Sequence, residues 1–201
     1  EKPDSWSAMW DPKYSGEILT FNNSRDAFGV AQYLLGYDVN STNPDEWRAA
    51  EEKLKEQKPL IQSYVMDEVF NKMEAGEAAM APYYAGDYLT MKQENDDLAF
   101  VYPKEGTNKF VDVMCIPSSS ENKKAAELFI NYMCEPEVAL HNANYLGYLC
   151  PVTAVLSDDR YEYKDNEVLY PKQEVKTQFF HNLDQDTLDL LSKLWEDLKL
   201  A

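Results

Sequence analysis

The sequence predicts an α/β fold, with a mostly parallel sheet flanked by helices. Short apolar runs alternate with longer segments whose apolar residues recur every three or four positions. The two kinds of segment alternate along most of the chain, as parallel strands do when helical crossovers join them. Asn, Pro and Gly punctuate the changes of period, as starts and stops of helices. With 201 residues, 44% of them hydrophobic, the chain is long enough for one or two domains with real cores.

The first strand is "EILTF" (17–21). Asn22, Asn23 and Ser24 follow it, and a helix is predicted over 24–35, stopped by Gly36. Asn and Ser at such a junction accept hydrogen bonds from the unpaired N–H groups of the first helical turn. A strand end facing a helix start is also where open α/β sheets bind ligands. The residues alone leave both uses open. In "NPDEWRAAEEKLKEQKP", Asn43 is the cap, Pro44 the first helical residue and Glu46 the partner that completes a capping box. Trp47, Ala50 and Leu54 share one face of that helix.

"LIQSYV" (60–65) is the second strand, and "DEVFNKMEAGE" a short helix with Val69, Phe70 and Met73 inward and Gly76 as its stop. A strand is predicted for "AAMAPYY" (78–84) and a helix for "AGDYLTMKQEN" (85–95). "LAFVYP" (98–103) and "FVDVMCIP" (110–117) are predicted strands, followed by helices "NKKAAELFINYM" (122–133) and "PEVALHNANYL" (136–146). The polar stretch 157–176 reads as a surface connection with a helical turn or two. The last helix carries Leu188, Leu191, Trp195 and Leu198 at helical spacing.

The formal net charge is −17. Phosphate binding needs clustered Lys and Arg, so the composition points away from nucleic acid. An acidic balance suits a cationic ligand and is equally an ordinary solvated surface. No apolar run approaches the ~20 residues that cross a bilayer. The chain opens on "EKPDSW", without Met or a signal-peptide pattern, and reads either as a mature fragment or as a segment cut for expression. Cys115, Cys134 and Cys150 have no metal-ligand spacing, and an odd count cannot pair off completely, so free thiols are expected. No metal and no cofactor is implied.

Enzyme motifs are absent: there is no phosphate-cradling Gly-rich loop, no nucleophile elbow and no His-Glu-x-x-His. His141 and His181 lie in no motif, and His141 reads as a surface or packed residue on its helix. What stands out is a set of aromatics and carboxylates near strand ends. "APYYAGDY" places Tyr83, Tyr84, Asp87 and Tyr88 around a strand-to-helix turn. "KFVDVMCIP" places Phe110 and Asp112 on one face of a predicted strand. A ring beside a carboxylate suits an organic ammonium ion, through cation–π contact and a charge-assisted hydrogen bond. The competing use is structural, with the rings in the core and Asp112 as a turn residue.

Four segments then align into a family pattern, in order and spacing: "LTFNNSRDAFGVAQYLLGYDVNSTNPDEW", "APYYAGDYLTM", "VYPKEGTNKFVDVMCIPSSSENKKAAELFINYMCEPEVALHNANYLGYLCPVTA" and "VLYPKQEVKTQFF". Together they resemble the spermidine/putrescine-binding proteins of bacterial ABC importers, over essentially the whole chain. The most specific parts are Pro-Lys-Glu-Gly (103–106), the Asp112 segment, residues 129–136 and Gly147-Tyr148. The resemblance implies a type II periplasmic-binding-protein-like fold, two hinged lobes that close over a polyamine, with no catalysis. It implies an extracytoplasmic place, in the periplasm or at the cell surface as a lipoprotein or membrane-tethered domain, and ABC-transporter permease subunits as partners.

The same resemblance implies a C-terminal part of such a protein, with a first-lobe segment of about 100 residues, the size of a small domain, preceding Glu1. Residues 1–110 would form the main part of the second lobe, 111–155 an excursion belonging to the first lobe, and 156–201 the return segment and terminal helix. The excursion, separated from the missing N-terminal lobe, is expected to draw two copies of the chain into a dimer or to stay partly disordered.

Ligand residues carry over from the family one at a time. Its acidic pair falls on the first strand-to-helix turn, where Asp26 keeps the second carboxylate and the first falls at Asn22 or Asn23, now an amide. Two sandwiching tryptophans fall at Tyr84 and Phe110, a carboxylate at Asp112, a tyrosine at Tyr148 and a late polar residue near 178–181, best matched by His181. An amide accepts from ammonium more weakly than a carboxylate, by ~1 kcal/mol, so the choice among putrescine, spermidine and another organic amine stays open. The alternatives are a binding protein for another small organic cation or solute, and an α/β hydrolase or transferase using a carboxylate pair.

Overall fold

Strand β1 (Ile18–Phe21) is buried at all four positions in the computed structural model, which describes residues 3–201. Burial on both faces is what parallel sheets impose. Helices α1 (Ser24–Leu35) and α2 (Pro44–Gln57) form the crossover to β2 (Ile61–Val65), which pairs with β1 in parallel, Phe21 opposite Val65. Helix α3 (Glu68–Glu74) ends as predicted at Gly76, whose φ of +69° asks for a residue without Cβ. Val69 is buried on it, and Phe70 and Met73 are half-buried.

The remaining elements are α4 (Ala85–Glu94), β3 (Thr107–Lys109), α5 (Lys123–Met133), α6 (Pro136–Leu146), α7 (Thr153–Leu156), β4 (Thr177–Phe179) and α8 (Gln185–Leu200). β3 and β4 form a second parallel ladder. Three predicted strands differ. Residues 78–84 make one parallel bridge, Met80 to Ile18, and Pro82 has no N–H to extend it. Residues 98–103 and 110–117 form no ladder, and so the same-face placement of Phe110 and Asp112 on a strand does not hold. A strand needs a hydrogen-bonding neighbour, and Val111 and Val113 instead stand 71% and 74% exposed. The capping box at α2 is also half-formed. Asn43 accepts from the Asp45 N–H at 3.1 Å, but its own N–H donates to Ser41 Oγ, not to Glu46.

The described chain divides into two compact units. The first comprises residues up to Tyr83, Met91–Phe110 and Glu174–Ala201. Its core is the junction of α1, α2 and α8: Phe28, Ala31, Trp47, Ala50, Leu54, Leu191, Leu194 and Leu198. The rings of Phe28 and Trp47 are 5.8 Å apart, and each large side chain buried there contributes about 2–3 kcal/mol. Leu191 and Leu198 of the predicted α8 face are in this core and Trp195 packs on its edge, while Leu188 is exposed and Leu194 takes its place.

The second unit comprises Tyr84–Thr90 and Val111–Gln173. Its core is Ala139, Leu140 and Ala143 of α6 with Val155 of α7 and Tyr161. Tyr161 and Leu169 are buried, so the polar stretch 157–176 has an inner side as well as an outer one. Arg160 ties it down by reaching both Glu137 and Asp158 at 2.7 Å. No residue of α5 is buried, and Leu128, Phe129 and Tyr132 are exposed.

Candidate functional site

In the first unit the candidate residues gather on the turn from β1 into α1. Asn23 is the N-cap: its Oδ1 accepts from the Arg25 N–H at 2.9 Å and more weakly from Asp26 N–H at 3.4 Å. A cap of this kind stabilises a helix by about 1 kcal/mol. Asn22 is exposed and does something else. Its N–H donates to Val65 O, continuing the sheet, and its Oδ1 accepts from Lys199 Nζ at 2.6 Å. Asp26 sits in the first turn of α1, where the positive helix end favours a carboxylate. Asn108 Nδ2, from the middle of β3, donates to it at 3.4 Å.

Arg25 builds the neighbouring wall. Its guanidinium lies over the rings of Phe180 and Trp47, at 4.7 and 5.4 Å from their centroids. It donates to Val39 O at 2.6 Å, Asn40 Oδ1 at 3.0 Å and His181 O at 3.5 Å. Burial pushes its pKa down from the usual arginine value, against the pull of Asp26. His181 is therefore held by its backbone, its N–H donating to Asn40 Oδ1 at 2.7 Å, while the residue itself is exposed. Phe110 follows β3 and is 44% exposed.

In the second unit Tyr84 and Asp87 lie at the start of α4, Asp112 is exposed in the segment between β3 and α5, and Tyr148 lies just past α6. Gly147 makes that placement possible, ending α6 with φ +68°. The Tyr148 ring packs directly on the backbone at Gly86. Its half-buried phenol is pushed well above the usual tyrosine pKa, first by burial, then by the Asp87 carboxylate to which it hydrogen-bonds, and also by the charge of Asp112. Tyr148 thus stands under the influence of two carboxylates. That is a negative field beside an aromatic wall, the chemistry that receives an ammonium group.

Phe110 groups with the first unit and Asp112 with the second, although two positions separate them. Asp87 belongs to the aromatic and carboxylate set of "APYYAGDY", although the family pattern assigns it no ligand role. Arg25 and Lys199 gave no signal, because their partners lie far away in sequence. Among the described residues no cluster of His, Cys, Asp or Glu is arranged to hold a metal, and no helix is long and apolar enough to cross a membrane.

The family described as bacterial extracellular solute-binding protein matches residues 1–169. The spermidine/putrescine-binding periplasmic protein of Escherichia coli (strain K12) is 32% identical over 170 residues, 85% of this chain and 49% of that protein. The putrescine/cadaverine-binding protein of Pseudomonas aeruginosa is 25% identical over 98% of this chain and 59% of its own length. Among solved structures, the spermidine/putrescine ABC transporter substrate-binding protein PotD of Streptococcus pneumoniae, in complex with calcium and HEPES, superposes with a TM-score of 0.84. It is 30% identical, over 100% of this chain and 62% of that one. The chain spans about half the length of the curated relatives it matches. It belongs to the bacterial extracellular solute-binding protein family.

Proposed function

We propose that this chain is part of the extracytoplasmic solute-binding component of an ABC importer, and that its solute is a polyamine, spermidine or putrescine. The observation that carries the proposal is the Tyr148 phenol, half-buried under the charges of Asp87 and Asp112. The names of the relatives point the same way. In the second unit Tyr84 and Tyr148 are the proposed walls for the methylene chain, and Asp112, with Asp87, the anchor for an amino group. In the first unit Asp26 is the proposed anchor, with Asn22, Asn23, Phe110 and His181 beside it. Binding, not catalysis, is the activity.

The proposed partners are permease subunits and an N-terminal lobe that receives residues 111–155, with 1–110 and 156–201 forming the other lobe. A thermal-shift panel of polyamines, amino acids and sugars against the whole parent protein tests the proposal. A shift with spermidine or putrescine at micromolar concentration is expected. A shift with another organic cation or a sugar, and none with polyamines, overturns it.

A further inference from the structure

Lys199 is bound without a carboxylate. The chain carries 36 Asp and Glu residues, yet among the described residues none makes an ion pair with Lys199. Its Nζ lies instead 4.9 Å from the centroid of the Tyr64 ring and 4.8 Å from that of Trp195. Asn22 Oδ1 accepts from it at 2.6 Å. The two rings meet edge to face, with centroids 5.6 Å apart, and make a corner.

A lysine in the last turn of a helix ordinarily turns to the unpaired carbonyls there. At the end of α8 another residue does this. Lys58 Nζ donates to Leu198 O at 2.7 Å and to Lys199 O at 3.0 Å. The ammonium of Lys199 is thereby released from helix capping and seated in the corner. Two π faces and one neutral oxygen recognise a primary ammonium by quadrupole and hydrogen bond, and ask little of its counter-charge.

We propose that Tyr64, Trp195 and Asn22 form a recognition notch for an alkyl-ammonium group, with Lys199 as its built-in occupant. An external primary amine of this class enters when it displaces Lys199. The tethered side chain competes at a high effective concentration, so the notch is nearly closed to dilute amines in the unaltered chain. The notch lies within the first unit, and the proposal does not rest on the identity of the transported solute.

The test is a titration of n-butylammonium chloride into the chain and its Lys199→Ala variant, following the Trp195 indole N–H by NMR, with n-butanol as the neutral control. Lys199→Ala is expected to give a saturable shift with the amine and none with the alcohol. The unaltered chain is expected to need an amine concentration at least about tenfold higher. The shift is expected to vanish in Lys199→Ala/Tyr64→Leu and to weaken in Lys199→Ala/Asn22→Ala, a surface change that leaves the rings in place. The proposal is overturned by no shift in Lys199→Ala. An equal response to amine and alcohol overturns it too, as does a response that neither second substitution changes.

Discussion

The ring of Tyr148 occupies the space that a side chain at Gly86 would fill. A methyl group built on Gly86 overlaps Cδ2, Cε2 and Cζ of that ring. Gly86 is in the first turn of a helix, so it is there for proximity, not for a special backbone angle.

Gly86→Ala is therefore expected to push Tyr148 away from Asp87. Overpacking of this kind costs about 1–3 kcal/mol of stability. In the whole parent protein, polyamine affinity should fall by at least about tenfold, the 1.4 kcal/mol that displacing one contact readily exceeds. Calorimetry and thermal unfolding on the same variant check both. Unchanged affinity would mean that Tyr148 is not a ligand wall.

Asp112→Asn in the parent is expected to weaken polyamine binding by ~2–5 kcal/mol, the usual cost of removing one partner of a desolvated charge pair. Asp38→Asn is the control. Both aspartates are exposed in this chain; Asp38 differs in accepting the Asn40 N–H at 2.8 Å, a local turn contact that an amide can also make. Equal affinity of the parent and Asp112→Asn would remove Asp112 from the site.

The two asparagines should respond differently. Asn23→Asp keeps the cap, since Asp caps about as well as Asn, and adds a charge beside Asp26. Affinity for a polyamine should rise while the melting temperature stays within a degree or so. Asn22→Asp places its charge against Lys199, which neutralises it, so its gain should be smaller until Lys199→Ala is added. Titrations of the single and double variants decide this, and flat affinities throughout would leave both residues as structural.

Acid should loosen the second unit through Asp158. Arg160 holds its pKa down to about 2, by hydrogen bonds first and charge second, against an ordinary value of 3.8. A carboxylate depressed on folding stabilises above its unfolded pKa and loses that contribution as pH falls through the folded one. The parent and Arg160→Met should therefore differ in stability at pH 6 and converge between pH ~4 and ~2. Arg160 is exposed and Asp158 only partly covered, so the difference should be small and should shrink further in high salt. Denaturant melts across that range measure it.

The apolar residues Val111, Val113, Leu128 and Phe129 are exposed in the second unit. The isolated chain is expected to self-associate through them, seen as a concentration-dependent mass by light scattering. Adding charge there, as Val113→Lys with Phe129→Glu, should return it to a monomer. A monomer at all concentrations contradicts the expectation.

Helices were legible in the sequence where capping chemistry and period agreed. Asn23, Pro44 and Gly36 mark boundaries that the structure keeps, because each acts on backbone within a few residues of itself. Strands were legible only where the partner was also apolar, as β1 and β2 are. Phe110 to Pro117 has strand composition and no ladder, whereas Thr107–Lys109, polar throughout, has one. Pairing is a property of two segments, and a reading of one cannot supply the other. The candidate site divides the same way. The Asn22–Asp26 cluster and the "APYYAGDY" carboxylate were on the surface of the sequence. Lys199 against Asn22, and Arg25 against Phe180 and His181, are contacts made by folding alone.

The β3–β4 ladder sets an order of events. Its strands are separated by about 70 residues of chain, so closing it first would cost on the order of 4 kcal/mol in loop entropy, before any constant term. Nearly all of the second unit lies inside that loop. If α6, α7 and the Tyr161 region collapse first, the ends are brought closer and the closure becomes cheaper. The first unit then completes its last ladder only after its insertion is compact. Refolding should accordingly show Tyr161 burial ahead of Thr107–Thr177 hydrogen-bond protection in pulsed hydrogen exchange, and a destabilised insertion should slow the unit that encloses it.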